Sequence, residues 1–136
     1  MTVRILQGDC RDVLKTLPEE SVHCIVTSPP YWGLRDYGVP GQIGLEPDPD
    51  EWLAQMVHVF QEAGRVLRRD GTLWLNLGDA YGSGTRADRD YSSTTKHGYW
   101  NNPAIHKRLS SPAKQLLGLP WRVALALQAN GWYLRQ

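Results

Sequence analysis

The chain has 136 residues and a mass of 15.4 kDa, with 41% hydrophobic residues, 21% charged residues and a formal net charge of +1. That length suits one domain and that composition an ordinary globular fold, which excludes a disordered tail, a coiled coil and a collagen-like fibre. No apolar run approaches the ~20 residues that cross a bilayer, residues 1–6 lack the long apolar stretch of a secretory signal, so none is expected, and the near-neutral charge announces no nucleic-acid partner through a global field. Cys10 and Cys24 are too few for a disulfide framework and form no CxxC pair, so both are expected to be buried thiols in a cytoplasmic protein.

The elements follow in chain order. Residues 3–6 (Val-Arg-Ile-Leu) read as a short strand ended by Gly8. Asp9 can then cap a helix whose apolar face is Val13, Leu14 and Leu17, stopped by Pro18. The near-continuous apolar run from Val22 to Thr27 predicts a strand buried on both faces, and Ser28-Pro29-Pro30 ends it because proline cannot donate to a ladder. Residues 33–50, rich in Gly and Pro, predict a loop. Asp50 is the expected cap of a long helix in which Trp52, Leu53, Met56, Val57, Val59, Phe60, Ala63, Val66 and Leu67 recur at three- and four-residue steps. Arg65, Arg68 and Arg69 fall where that helix's dipole favours cations. Asp70-Gly71 predicts a turn into a strand over residues 72–77, followed by Gly78-Asp79.

Residues 80–113 carry no sustained apolar period and predict a flexible loop. Five cations, Arg86, Arg89, Lys96, Lys107 and Arg108, lie there against Asp88 and Asp90, with Tyr91, Tyr99 and Trp100 beside them. Residues 116–127 predict a last helix ended by Asn130-Gly131, and residues 132–134 the start of another strand. Trp74 and Trp121 lie on apolar elements and are expected in the core. Alternating strands and helices argue an α/β fold with a largely parallel sheet. In such sheets ligands sit beyond the carboxyl ends of the strands. That rule marks Gly8-Asp9, the segment from Ser28 to Trp32, and Gly78-Asp79.

Six Trp and six Tyr against a single Phe is a skewed choice, because Trp and Tyr combine a flat face with a polar handle. Val26-Thr27-Ser28-Pro29-Pro30-Tyr31-Trp32 concentrates that chemistry. A buried strand runs into a hydroxyl, two prolines that leave neighbouring carbonyls as acceptors, and two aromatics. Acceptors in the plane of a ring, with an aromatic above it, suit a planar aromatic amine. A tight proline turn packed on aromatics is the structural alternative.

The string TSPPYW resembles the catalytic motif of DNA methyltransferases that act on the exocyclic amines of bases. Gly8-Asp9, Gln42-Ile43-Gly44-Leu45-Glu46, the block RVLRRDGTLWLNLGD ending at Asp79, and Leu119-Pro120-Trp121-Arg122 are similar to the permuted, beta-class members, in which the catalytic motif precedes the cofactor motif. The resemblance implies a Rossmann-like methyltransferase sheet with flanking helices. It implies S-adenosylmethionine as methyl donor, double-stranded DNA as substrate, and a base flipped out of the duplex onto Tyr31. Ser28 Oγ and the Pro29 carbonyl would accept the amine's hydrogens and, with Pro30 and Tyr31, form the catalytic loop. Ser before Pro-Pro leans to cytosine N4 over adenine N6. Asp9 and Asp79 would lie near the cofactor. Trp32, Arg86, Arg89, Lys96, Lys107 and Arg108 would contact DNA. The four histidines show no ligand spacing, so no metal is expected.

The family pattern would continue past Gln136 with the Gly-rich cofactor motif. Asp79-Ala80-Tyr81-Gly82-Ser83-Gly84-Thr85 is similar to that motif only superficially, and reads as a glycine loop. The chain is therefore expected to be the N-terminal catalytic part of a methylase domain with an incomplete sheet and an incomplete cofactor pocket. Another chain could complete it. A non-catalytic DNA-binding or assembly subunit that retains the base pocket is the alternative.

Overall fold

The computed structural model describes residues 2–82, 112 and 114–135. Among them the element order is a one-turn helix α1 (Cys10–Val13) continued by a 3-10 turn (Leu14–Thr16), strand β1 (Val22–Thr27), helix α2 (Pro49–Val66), strand β2 (Leu67–Leu75) and helix α3 (Leu119–Ala129).

Helix α2 forms the centre. Asp48, not Asp50, is its N-cap: the Asp48 carboxylate accepts the Asp50 backbone N–H at 2.7 Å and Pro49 occupies the first helical position. Its apolar stripe buries Trp52, Met56, Val59, Phe60, Ala63 and Val66. Val123 and Leu127 of α3, with Leu119 at its start, close the core against that stripe. Trp132 covers Gly64 of α2, where a methyl group would stand 3.2 Å from the indole.

The two strands pair in parallel, joined through α2 in the order of a β-α-β unit. Regular register runs from Cys24 opposite Thr72 to Thr27 opposite Leu75, and the Asn76 N–H extends it by donating to the Thr27 carbonyl at 3.0 Å. Upstream, Val22 faces Leu67, so the register breaks across residues 68–71. The expected turn at Asp70-Gly71 is this irregularity inside β2. Arg68 and Arg69 therefore lie on the strand rather than at the helix end, while Arg65 stays on α2 and donates to the Leu14 and Leu17 carbonyls.

One sheet face, with Ile25, Leu73 and Leu75, packs on the core. The other carries Cys24, Val26, Thr72 and Trp74 and is open, with Val26 at 78% and Trp74 at 58% exposure. Three expectations fail for this reason. Trp74 is not core, Cys24 is not buried, and the apolar run of β1 is covered on one face only. Cys10 is exposed as well. Trp121 projects from α3 away from α2 and is exposed with Leu125, one turn along the same face. Residues 3–6 and 132–134 form no strand: neither segment has a ladder partner among the described residues, and Val3, Ile5 and Tyr133 are exposed.

Candidate active site

The loop after β1 sits on top of the sheet's carboxyl end, as the ligand rule for parallel sheets anticipates. The Ser28 hydroxyl donates to the Tyr31 hydroxyl at 3.1 Å. The Pro30 carbonyl accepts from the Trp52 indole N–H at 3.0 Å, reaching down to the first turns of α2. The Tyr31 carbonyl meets the Leu34 N–H at 3.4 Å. Among the described residues nothing donates to the Pro29 carbonyl. Burial of Trp52 to 1% exposure makes its bond to Pro30 a fixed anchor, since a buried indole N–H left unpaired is costly.

Two glycines make room for this loop. Gly44 lies against it with φ +105, and a methyl there would stand 2.9 Å from the Tyr31 carbonyl oxygen and 3.4 Å from the Pro30 ring. Gly78, just past β2, lies under the Tyr31 ring: a methyl there would meet Cε2 at 2.9 Å and Cδ2 at 3.2 Å. The 33–48 loop is braced by its own side chains. Gln42 accepts the Tyr37 N–H and donates to the Arg35 carbonyl, and Glu46 accepts the Gly44 N–H at 2.8 Å. Ser28, Pro29, Pro30, Tyr31 and Tyr37 line a cleft of about 320 Å³, within the size range of small-ligand sites.

Trp32 is placed otherwise than expected. It is 5% exposed and its indole donates to the Glu46 carbonyl at 2.9 Å, so it holds the loop and its ring is unavailable to DNA. Asp79 caps α3 from a distance: Oδ1 accepts the Leu119 and Ala80 N–H groups and Oδ2 the Gly118 N–H, at 2.8 to 3.0 Å. A carboxylate at a helix N-terminus is favoured by the dipole. Asp9 caps α1 through the Arg11 N–H and pairs with the Arg11 guanidinium, which also donates to the Gly41 carbonyl. Those Arg11 hydrogen bonds pull the Asp9 carboxyl down to about 2. Both carboxylates expected against the cofactor are thus hydrogen-bonded within the chain.

Arg86, Arg89, Lys96, Lys107 and Arg108 lie outside the described residues, as do Ser83, Gly84 and Thr85. The expected loop over 80–113 has a clamped base. Tyr81 bridges Leu116 in antiparallel fashion, Gly82 donates to the Gln115 carbonyl at 2.7 Å, and Leu117 donates to the Ala80 carbonyl at 2.9 Å.

The chain as a whole is similar to known proteins. A family profile described as DNA methylase, of the N6/N4 type, matches residues 22–136. The chain belongs to that DNA methylase family. It is 51% identical over 96% of its length to the type II methyltransferase M.Cfr9I of Citrobacter freundii, and 46% identical over 97% to M.SmaI of Serratia marcescens. It covers 43% and 45% of those proteins, so the chain spans less than half their length. Among solved structures, the putative DNA modification methylase TTHA0409 of Thermus thermophilus, complexed with S-adenosyl-L-methionine, superposes with a TM-score of 0.57 at 27% identity. That match covers 93% of this chain and 40% of the other. The fold is accordingly part of a Rossmann-like methyltransferase, present here as an α/β unit with a two-stranded parallel sheet.

Sequence reasoning marked Gly78 at the productive edge and Gly44 in a family-like string, but missed Trp52 as part of this site. Trp52 reads as core from its helical period. The available signal was its N–H, which a buried indole must spend on a partner.

Proposed function

We propose that this chain is the base-binding part of an S-adenosylmethionine-dependent DNA methyltransferase acting on an exocyclic amine, with cytosine N4 favoured over adenine N6. The observation that carries the reading is the loop geometry. The Pro30 carbonyl is taken by Trp52, while Ser28, Pro29 and Tyr31 line the cleft, which supports Ser28 Oγ and the Pro29 carbonyl as the acceptors beside the Tyr31 ring.

An exocyclic amine is a weak nucleophile because its lone pair is delocalised into the base. Accepting its two N–H bonds at Ser28 Oγ and the Pro29 carbonyl draws the nitrogen toward a pyramidal geometry and restores that lone pair. The fixed loop makes the acceptors preorganised, so little reorganisation accompanies reaction. Tyr31 supplies a stacking face worth about 1–3 kcal/mol for a flipped base. In this chemistry S-adenosylmethionine supplies the electrophilic methyl. Its cradle is proposed to draw on residues beyond those described, from this polypeptide or from a partner chain. Arg86, Arg89, Lys96, Lys107 and Arg108 are the proposed phosphate contacts on double-stranded DNA. The setting proposed is the cytoplasm of a bacterium, with the gene carried by the bacterium or a phage, in keeping with type II methyltransferases of bacteria among the relatives.

The test is incubation with methyl-labelled S-adenosylmethionine and unmethylated duplex DNA, alone and with a candidate completing chain, followed by nucleoside chromatography. Label in N4-methylcytosine is expected. Label in N6-methyladenine defeats the cytosine reading. No label together with tight DNA binding supports a non-catalytic binding subunit instead.

A further inference from the structure

The Ser28 side chain is exposed to the cleft, yet its hydroxyl is not left to water: it points at the Tyr31 hydroxyl, 3.1 Å away. A serine hydroxyl has one hydrogen and two acceptor lone pairs. For the amine of a base, the hydrogen is an obstacle, because a donor facing a donor repels. We propose that the Tyr31 hydroxyl takes the Ser28 hydrogen and thereby presents Ser28 Oγ to the substrate as an acceptor. Tyr31 is then a positioning residue through its hydroxyl as well as a stacking surface through its ring.

A second contact fixes the ring that carries this hydroxyl. Gly78 stands under the Cδ2–Cε2 edge, and a methyl there would lie 2.9 Å from Cε2 and 3.8 Å from Cζ, forcing the ring off its seat. The bond from Trp52 to Pro30 holds the backbone between Ser28 and Tyr31, so neither partner of the hydroxyl pair drifts. This inference rests on the amine-methylation reading for its purpose, though not for its geometry.

Two measurements test it. With tyrosine labelled at ¹³Cζ, the Tyr31 resonance is assigned by its loss in Tyr31→Phe. It should move in Ser28→Ala and return in Ser28→Thr, which restores a hydroxyl, while the other tyrosine resonances stay in place. A Tyr31 resonance indifferent to Ser28→Ala overturns the proposal. The second is methyl transfer to duplex DNA. Tyr31→Phe should slow transfer roughly ten- to hundredfold, as expected for a misoriented reacting pair, with the KM for DNA held within about threefold. In a Ser28→Asp background the same substitution should cost under about threefold, because an ionised carboxylate only accepts and needs no orienting partner. Equal losses in both backgrounds overturn the proposal. A wild-type protein that transfers no methyl even with a completing chain present defeats the proposed function, and the resonance comparison still decides the inference.

Discussion

The two faces of the short sheet differ sharply. On one, Ile25, Leu73 and Leu75 meet a core sealed by α2 and α3; on the other, Val26 and Trp74 face solvent. The loop from Ser28 to Tyr31 belongs to the sealed side, anchored by Trp52, Gly44 and Gly78. The difference shows how a chain that spans less than half of its relatives can still hold part of a site firmly. The loop proposed to accept the base draws its anchors from α2, the loop before it and the region just past β2, all inside the described residues. The open face, the exposed Trp121–Leu125 face of α3 and the segments at 3–6 and 132–134 contribute none of these anchors.

The largest effect should come from the sealed side. Trp52→Ala removes a fully buried indole and the anchor of Pro30, and is expected to destabilise by about 3–5 kcal/mol in urea unfolding. Trp74→Ser, on the open face of the isolated chain, should change stability by no more than about 0.5 kcal/mol. Comparable losses at the two positions would mean that the open face is covered in solution. Gly44→Ala comes next, at about 1–3 kcal/mol, since a methyl at φ +105 is strained and meets the Tyr31 carbonyl at 2.9 Å. Asp79→Ala should cost about 0.5–2 kcal/mol through loss of the α3 cap, read as earlier thermal unfolding.

The smallest effect is at Asp9. Its folded carboxyl sits at about 2, below its usual 3.8, through the Arg11 side-chain hydrogen bonds first and the Arg11 backbone N–H second. A depressed carboxylate contributes stability above its unfolded value and loses it as pH falls through the folded one. Stability should therefore decline between about pH 4 and pH 2 in the wild type, and less steeply in Asp9→Asn, which keeps a capping oxygen without the charge. Solvent around the pair keeps the difference small.

Much of this arrangement was legible from residues alone. β1, α2 and α3 announce themselves by long apolar patterns, and Ser28 to Tyr31 by a motif placed at a strand's end. Other features depended on what lies beside them. Residues 3–6 have the composition of a strand, but a strand requires a ladder partner, which local pattern does not reveal. Trp32, Trp52, Trp74 and Trp121 read alike by composition, yet two are buried, with their indoles bonded to loop carbonyls, and two are exposed. The cap of α2 shifts from Asp50 to Asp48 because Pro49 can start a helix, leaving Asp50 to pair with Arg122. Asp79 could not be separated from a ligand-facing carboxylate until the start of α3, some forty residues on, was seen to fold back onto it.

The most direct test of the central claim, that Ser28 is the acceptor for the reacting amine, is single-turnover methyl transfer by the wild type and by Ser28→Ala, with DNA affinity measured in parallel. Loss of one preorganised polar contact predicts a fall of about 10²–10³-fold in transfer, with DNA affinity nearly unchanged. Transfer by Ser28→Ala at the wild-type rate would contradict the account.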